Sequence, residues 1–139
     1  MRGLLVLIAV LALATCGGAL WRARQGRWRR LRSAGAVLTA ADLGADLGPR
    51  ATLLQFSSAF CAPCRTTRRV LADVAGSLEG VAHIEVDAES HLELVRRLGV
   101  LTTPTTLVLD GDGAVVRRAA GPPRPSDVHA VLAELEVTG

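Results

Sequence analysis

No lysine occurs anywhere in the 139 residues, and all 16 basic side chains are arginines. No acidic residue lies in residues 1–33, which hold seven of those arginines. Residues 34–139 carry the other nine arginines against all 13 acids, a net charge of −4. The sequence pI of about 9.3 therefore describes the N-terminal segment and not the part that folds. A nucleic-acid-binding domain is disfavoured, because residues 51–139 lack net positive charge and offer only Phe56 and Phe60 for stacking on bases. Cysteine is sparse: Cys16 stands far from Cys61 and Cys64, too few for a disulfide-stapled scaffold. No second C-x-x-C and no H-x-x-x-H pair accompanies them, so a four-ligand structural zinc site lacks its ligands, and no metal is expected.

Charge is also missing from the whole run Gly3 to Trp21. As a helix, these residues would nearly span a hydrocarbon core of about 30 Å at about 1.5 Å per residue. Trp21 is placed as an interfacial anchor and arginines follow at once. The run is expected to be a single-pass membrane helix that stays in place, contacting the lipid bilayer through residues 3–21. A cleaved secretory signal fits less well, given the long run and its basic flank. Leu13-Ala14-Thr15-Cys16 looks like a lipobox, but Thr15 departs from the small residue expected, so Cys16 reads as a small apolar membrane residue. Arg2 and the amino terminus precede the run, whereas Arg22, Arg24, Arg27, Arg29, Arg30 and Arg32 follow it. The positive-inside rule then keeps the C-terminal part in the cytoplasm. The alternative is an extracytoplasmic domain, anchored or lipidated at Cys16. The arginine flank suits contact with anionic lipid and equally suits a solvated stretch. The expected organisation is an anchor over 1–21, a basic juxtamembrane segment and connector over 22–50, and a folded domain over 51–139.

Within the connector, Thr39 to Asp42 fits a short helix start. Leu53–Phe56 predicts a buried central strand inside the apolar run from Ala51. Ala62–Ser77 predicts a helix carrying Val70, Leu71 and Val74, and Val81–Val86 a strand ending at Asp87. Ser90–Leu98 predicts a helix with Leu92, Val95 and Leu98 on one face, stopped by Gly99. Thr105–Leu109 and Ala114–Ala119 read as strands around the turn Asp110-Gly111-Asp112-Gly113. Gly121 to Pro125 breaks the pattern, and Ser126 is expected to cap a last helix to Glu136. This order predicts an α/β domain, a mixed sheet with helices on both faces.

Cys61-Ala62-Pro63-Cys64 falls where a strand hands over to the first turn of a helix. Unpaired N–H groups and the positive end of the helix dipole favour a thiolate there, and the thiolate is the nucleophile. Cys61, at the exposed helix start, is the expected attacking thiol. Cys64, one turn further in and more buried, is expected to resolve the mixed disulfide. Pro63 stiffens the first turn at no cost in hydrogen bonds, and Arg65 is close enough to support a thiolate.

The chain resembles the thioredoxin superfamily through Phe56, the run Phe60 to Arg65, Asp87 after a strand, Thr103-Pro104 before a strand, Gly113 in a turn and Gly121. The resemblance implies a thioredoxin-like three-layer fold with a mixed central sheet, preceded by one transmembrane helix. It implies a thiol–disulfide oxidoreductase needing no cofactor. Its partners would be protein dithiols and disulfides, with an unidentified electron donor or acceptor. Cys61 and Cys64 would be catalytic. Phe60, Ala62, Pro63, Thr103 and Pro104 would bind substrate, the last two as a cis-proline loop whose backbone pairs with an extended segment. Two residues depart from the family pattern. Phe60 replaces a tryptophan, and Gln55 replaces a buried aspartate that moves protons to and from the second cysteine. Since Gln55 cannot titrate, a water or His83 on the neighbouring strand would have to serve; His83 also reads simply as a partly exposed strand histidine. Two other readings compete, soft-metal binding such as copper(I) by the cysteine pair and a non-catalytic interaction module.

Overall fold

A computed structural model describes residues 1–24, 27–30 and 35–138. Arg32 of the basic flank and Ser33, both within the segment expected over 22–50, lie outside the described residues. Helix α1, Arg2–Arg24, is long and apolar enough to cross a membrane, with a mean hydropathy of 2.4 over its best window; a signal sequence would meet the same criteria. None of its residues is buried. Its one hydroxyl in mid-run, Thr15 Oγ1, is satisfied inside the helix by donating to the Leu11 carbonyl at 2.9 Å.

The chain then forms β1 (Arg29–Arg30), α2 (Ala40–Leu43), β2 (Ala51–Ser57), α3 (Ala62–Ser77), β3 (Val81–Asp87), α4 (Leu92–Leu98), β4 (Thr105–Asp110), β5 (Val115–Ala120) and α5 (Pro125–Thr138). The sheet order is β1-β5-β4-β2-β3. Only β2 and β3 run parallel; β4 is antiparallel to β2, β5 to β4, and β1 to β5. Four strands thus make the mixed thioredoxin-like sheet, and β1 adds two residues to one edge.

Period-two alternation divides the core between the two faces of the sheet. Leu54 and Phe56 of β2 join Leu43, Leu94, Leu98, Leu107 and Leu109 on the α2–α4 side. Ala51 and Leu53 join Leu71, Val74, Val108, Val128 and Leu132 on the α3–α5 side. All seven residues of β2 are buried, as expected of a strand covered on both faces. The stretch before β2 also contributes, since Leu38 and Leu43 belong to the core and Trp28 packs against the α3–α5 side.

Some local expectations shift. Helix α4 starts at Leu92, not Ser90, because Ser90 is held in a turn by the Asp87 side chain and carbonyl. Of the expected face, Leu98 is buried and Val95 packs against the core, but Leu92 is exposed and Leu94 takes its place inside. Strand β5 runs Val115–Ala120, one residue later than expected, because the Ala114 amide donates to Asp110 Oδ1 in the turn at 2.9 Å. Gly113 has the positive φ of 82° that this turn requires. Helix α5 begins at Pro125, and Ser126 lies inside its first turn rather than capping it. Asp127 and Val128 donate their amides to the Arg124 carbonyl there.

Candidate active site

The C-terminal end of β2 delivers the chain through Ser58, Ala59 and Phe60 to the start of α3. Cys61 is the N-cap of α3, in extended conformation, and its side chain makes no capping hydrogen bond. The unpaired amides and the positive dipole end of α3 therefore meet a sulfur rather than a hydroxyl or carboxylate. Pro63 sits in the first turn of α3, and the Cys64 amide donates to the Cys61 carbonyl at 3.2 Å. Cys61 and Cys64 are disulfide-bonded, with Cα atoms 5.3 Å apart, inside the usual range for such a bond. Cys61 is half-buried and Cys64 is 2% exposed. Phe60 projects fully into solvent, and Ala62 and Pro63 are exposed. A shallow depression lined by Ser58, Phe60, Cys61, Cys64, Arg65 and Arg68 opens over the pair.

The structure brings Thr103 and Pro104 to this place. Their peptide bond is cis. The hydroxyls of Thr103 and Ser58 are hydrogen-bonded at 3.0 Å, joining the proline loop to the segment that leads into Cys61. Pro104 is buried, and its carbonyl accepts from the Gly121 amide at 2.8 Å. Leu101, just before this loop, is 93% exposed. Sequence reasoning missed it, because Leu98, Val100 and Leu101 look alike as sequence and only packing separates them.

Beneath Cys64 lies a polar chain. Gln55 is fully buried and faces α3. Its Nε2 donates to the Cys64 carbonyl and to Ser57 Oγ, both at 2.9 Å. Ser57 Oγ donates onward to Glu85 Oε1 at 2.6 Å, and Arg68 of α3 clamps Glu85 from above. Gln55 Oε1 is 3.1 Å from His83 Nε2. An amide oxygen only accepts, so His83 carries a proton on Nε2. His83 thus reaches Gln55 and not the cysteines directly. Burial pushes the His83 pKa down; Glu85 opposes that and Arg68 adds to it. For Glu85, burial pushes upward but the hydrogen bonds from Arg68 and Ser57 outweigh it, so the carboxyl titrates below its ordinary value. Thr106, opposite Gln55 in the β2–β4 register, is fully buried, and its hydroxyl has no hydrogen-bond partner among the described residues. No cluster of three or more His, Cys, Asp or Glu suited to a metal ion occurs among the described residues.

A family model described as Thioredoxin matches residues 37–134. The human "Thioredoxin domain-containing protein 2" is 35% identical over 72 residues, which are 50% of this chain and 13% of that much longer protein. Among solved structures, chloroplastic thioredoxin z superposes with a TM-score of 0.60 at 18% identity, covering 77% of this chain and 98% of that one. A mutant thioredoxin from Halobacterium salinarum gives 0.58 at 19% identity over 68% of this chain and 80% of that one. At such identities the structural likeness speaks for the fold.

Proposed function

This chain belongs to the thioredoxin family, and from that premise we propose that it is a membrane-held thiol–disulfide oxidoreductase acting on protein partners through Cys61 and Cys64. The observation that carries the reading is the bonded cysteine pair at the N-terminus of α3, with Cys61 half-buried and Cys64 almost fully buried. In the reducing direction, the Cys61 thiolate attacks one sulfur of a substrate disulfide and expels the other as a thiolate, leaving a mixed disulfide. The Cys64 thiolate then attacks Cys61 Sγ, expels the second substrate thiolate and closes the Cys61–Cys64 bond. Two electrons pass to the substrate, and an external dithiol must restore the pair. The amide ends of α3 stabilise the Cys61 thiolate in the first step. Phe60, Ala62, Pro63, Thr103 and Pro104 form the surface on which an extended segment would lie. Gln55 orients the Cys64 turn through its carbonyl, while His83 and Glu85 supply the ionisable groups of the chain below.

In the same reading α1 is a retained anchor. Its exposed apolar surface and the arginines Arg22 and Arg24 in its last turn support this. The arginine imbalance favours a cytoplasmic domain, since moving each arginine through the bilayer centre costs about 2.5–3.5 kcal/mol even on insertion scales, and a cytoplasmic domain suits a reductase. The test is turnover of a disulfide-linked protein by the full chain in nanodiscs with a dithiol as electron donor. Turnover should vanish in Cys61→Ser. Fusions placed after Gly139, to one reporter active only outside the membrane and one active only inside, decide the side. A full rate in Cys61→Ser would end the redox reading.

A further inference from the structure

We propose that the anchor holds the cysteine end of the sheet towards the bilayer, so that the exchanged disulfides belong to membrane proteins and lie at the membrane surface. This rests on the reading of α1 as a retained span and of Cys61–Cys64 as a redox pair.

The direction of the strands carries the inference. Strand β2 ends at Ser57, just before Cys61, so the cysteines sit at that end of the sheet. Strand β4 runs back from there, and Thr105 at its start pairs with Ala120 at the end of β5. Strand β1 is antiparallel to β5, with Arg29 opposite Arg118 and Arg30 opposite Arg117. Further along the same edge, Val115 donates to the Ala36 carbonyl and Leu38 to the Gly113 carbonyl. The chain therefore enters the domain at the cysteine end and runs away from it towards the Asp110–Gly113 turn.

The point of entry is fixed. Trp28 packs against the α3–α5 core and Arg29 is paired in the sheet. Only the stretch from Arg24 to Trp28 is left as tether, at most about 14 Å even when fully extended. Strand β1 stands three strands from β2, a lateral distance of about 14 Å. Had the chain entered at the turn end, the length of the sheet would separate the cysteines from the lipid. As it stands, the tether and the site share one end. Two fully or almost fully exposed apolar side chains, Phe60 and Leu101, project there. The occupant that meets a short tether and an apolar rim is a cysteine-bearing segment flanking a membrane span, presented at the surface of the same bilayer.

The experiment uses the full chain in liposomes, reduced with dithiothreitol, freed of it, and followed through a single turnover. Three disulfide probes are compared: a transmembrane peptide with its disulfide loop at the bilayer surface, the same peptide with the loop raised on a helical stalk of about 30 residues and about 45 Å, and a soluble peptide. The surface loop should be reduced about 10-fold faster than the raised loop. Inserting about 30 Gly/Ser residues between Arg24 and Arg27, with a reach of about 30 Å, should bring the two rates within about 2-fold. Equal rates in the unaltered chain, or a preference untouched by the insertion, would overturn the inference. The soluble peptide reports the redox chemistry and the folding of both chains. If it is reduced while the membrane probes are not distinguished, only the inference falls. If neither chain reduces it, the underlying functional reading falls and takes the inference with it.

Discussion

Cys61 and Cys64 stand one helical turn apart on α3, yet they meet different surroundings. Cys61 borders the exposed rim, with Phe60 in full solvent beside it, and its side chain makes no capping hydrogen bond. Cys64 is almost wholly enclosed, and its carbonyl is gripped by Gln55, itself tied to Ser57, Glu85, Arg68 and His83. The difference teaches that the two steps of an exchange can be governed separately. Access and helix-end electrostatics bear on the first thiol, while a buried polar chain bears on the second.

The largest effect that sharpens this contrast is the exchange of one sulfur at a time. Cys61→Ser should lower disulfide turnover by about three orders of magnitude or more. Cys64→Ser should still attack and should accumulate a mixed disulfide on Cys61, seen by mass spectrometry. If Cys64 in the Cys61→Ser chain forms the adduct faster, the two roles are reversed.

Next comes Gln55→Leu, which keeps the bulk and removes the hydrogen bonds. Leaving the Cys64 carbonyl and the Ser57 hydroxyl short of a partner in the interior should cost about 1–3 kcal/mol of stability, measured by denaturant unfolding. The alkylation rate of Cys61 should stay within about 2-fold, because Gln55 does not reach it. A large drop in that rate with unchanged stability would merge the two environments into one.

A smaller effect is set by pH. Burial holds His83 below its ordinary value of 6.5, so the unfolded chain takes up a proton there that the folded chain resists. Stability should therefore fall as pH drops below about 6.5. Glu85 lies below its ordinary value of 4.5 despite its partial burial, because Arg68 and Ser57 bond the carboxylate. Its contribution is present above about 4.5 and is lost as pH falls further. In thermal unfolding against pH, His83→Asn should remove the upper step and Glu85→Gln the lower one. Retention of both steps in both variants would take the pH response away from this chain of residues. The smallest effect is expected for Thr106→Val, which replaces a buried hydroxyl without a partner among the described residues by a methyl group. The result should be neutral or stabilising by up to about 1 kcal/mol, and a loss beyond that would reveal a hydrogen bond to Thr106.

Much of this site was readable from residue types at known places. A C-x-x-C at a strand-to-helix handover, followed by Thr103-Pro104 ahead of a strand, is a local pattern carrying its own geometry. Gln55 at the second cysteine's side was visible too, and so was His83 as its neighbour. The partners Ser57, Glu85 and Arg68 were not foreseen. Alternation places Ser57 on the same face as Gln55, but Glu85 arrives only through the β2–β3 register, which pairs it with Gln55. The edge formed by Trp28, Arg29 and Arg30 was equally hidden. Two rungs among arginines have no apolar period to betray them, and tertiary docking alone makes them a strand. In helix α4 only Leu92 misled, for a related reason: seven residues are too few for periodicity to decide whether Leu92 or Leu94 joins Val95 and Leu98 against the core.

The pairing of Arg29 with Arg118 also sets an order of events in time. During synthesis α1 leaves the ribosome early, while the strand that Arg29 needs is about 90 residues behind; at about 5–20 residues per second it follows several seconds later. In the proposed reading of α1 as an anchor, the apolar helix is free over that interval to be delivered to a bilayer, because the β5 strand that pairs with its flank has not yet been made. Once β5 emerges, the edge can close behind a helix already in place. In that reading, the most sequence-distant pairing in the sheet is also the one whose late formation would leave insertion unhindered.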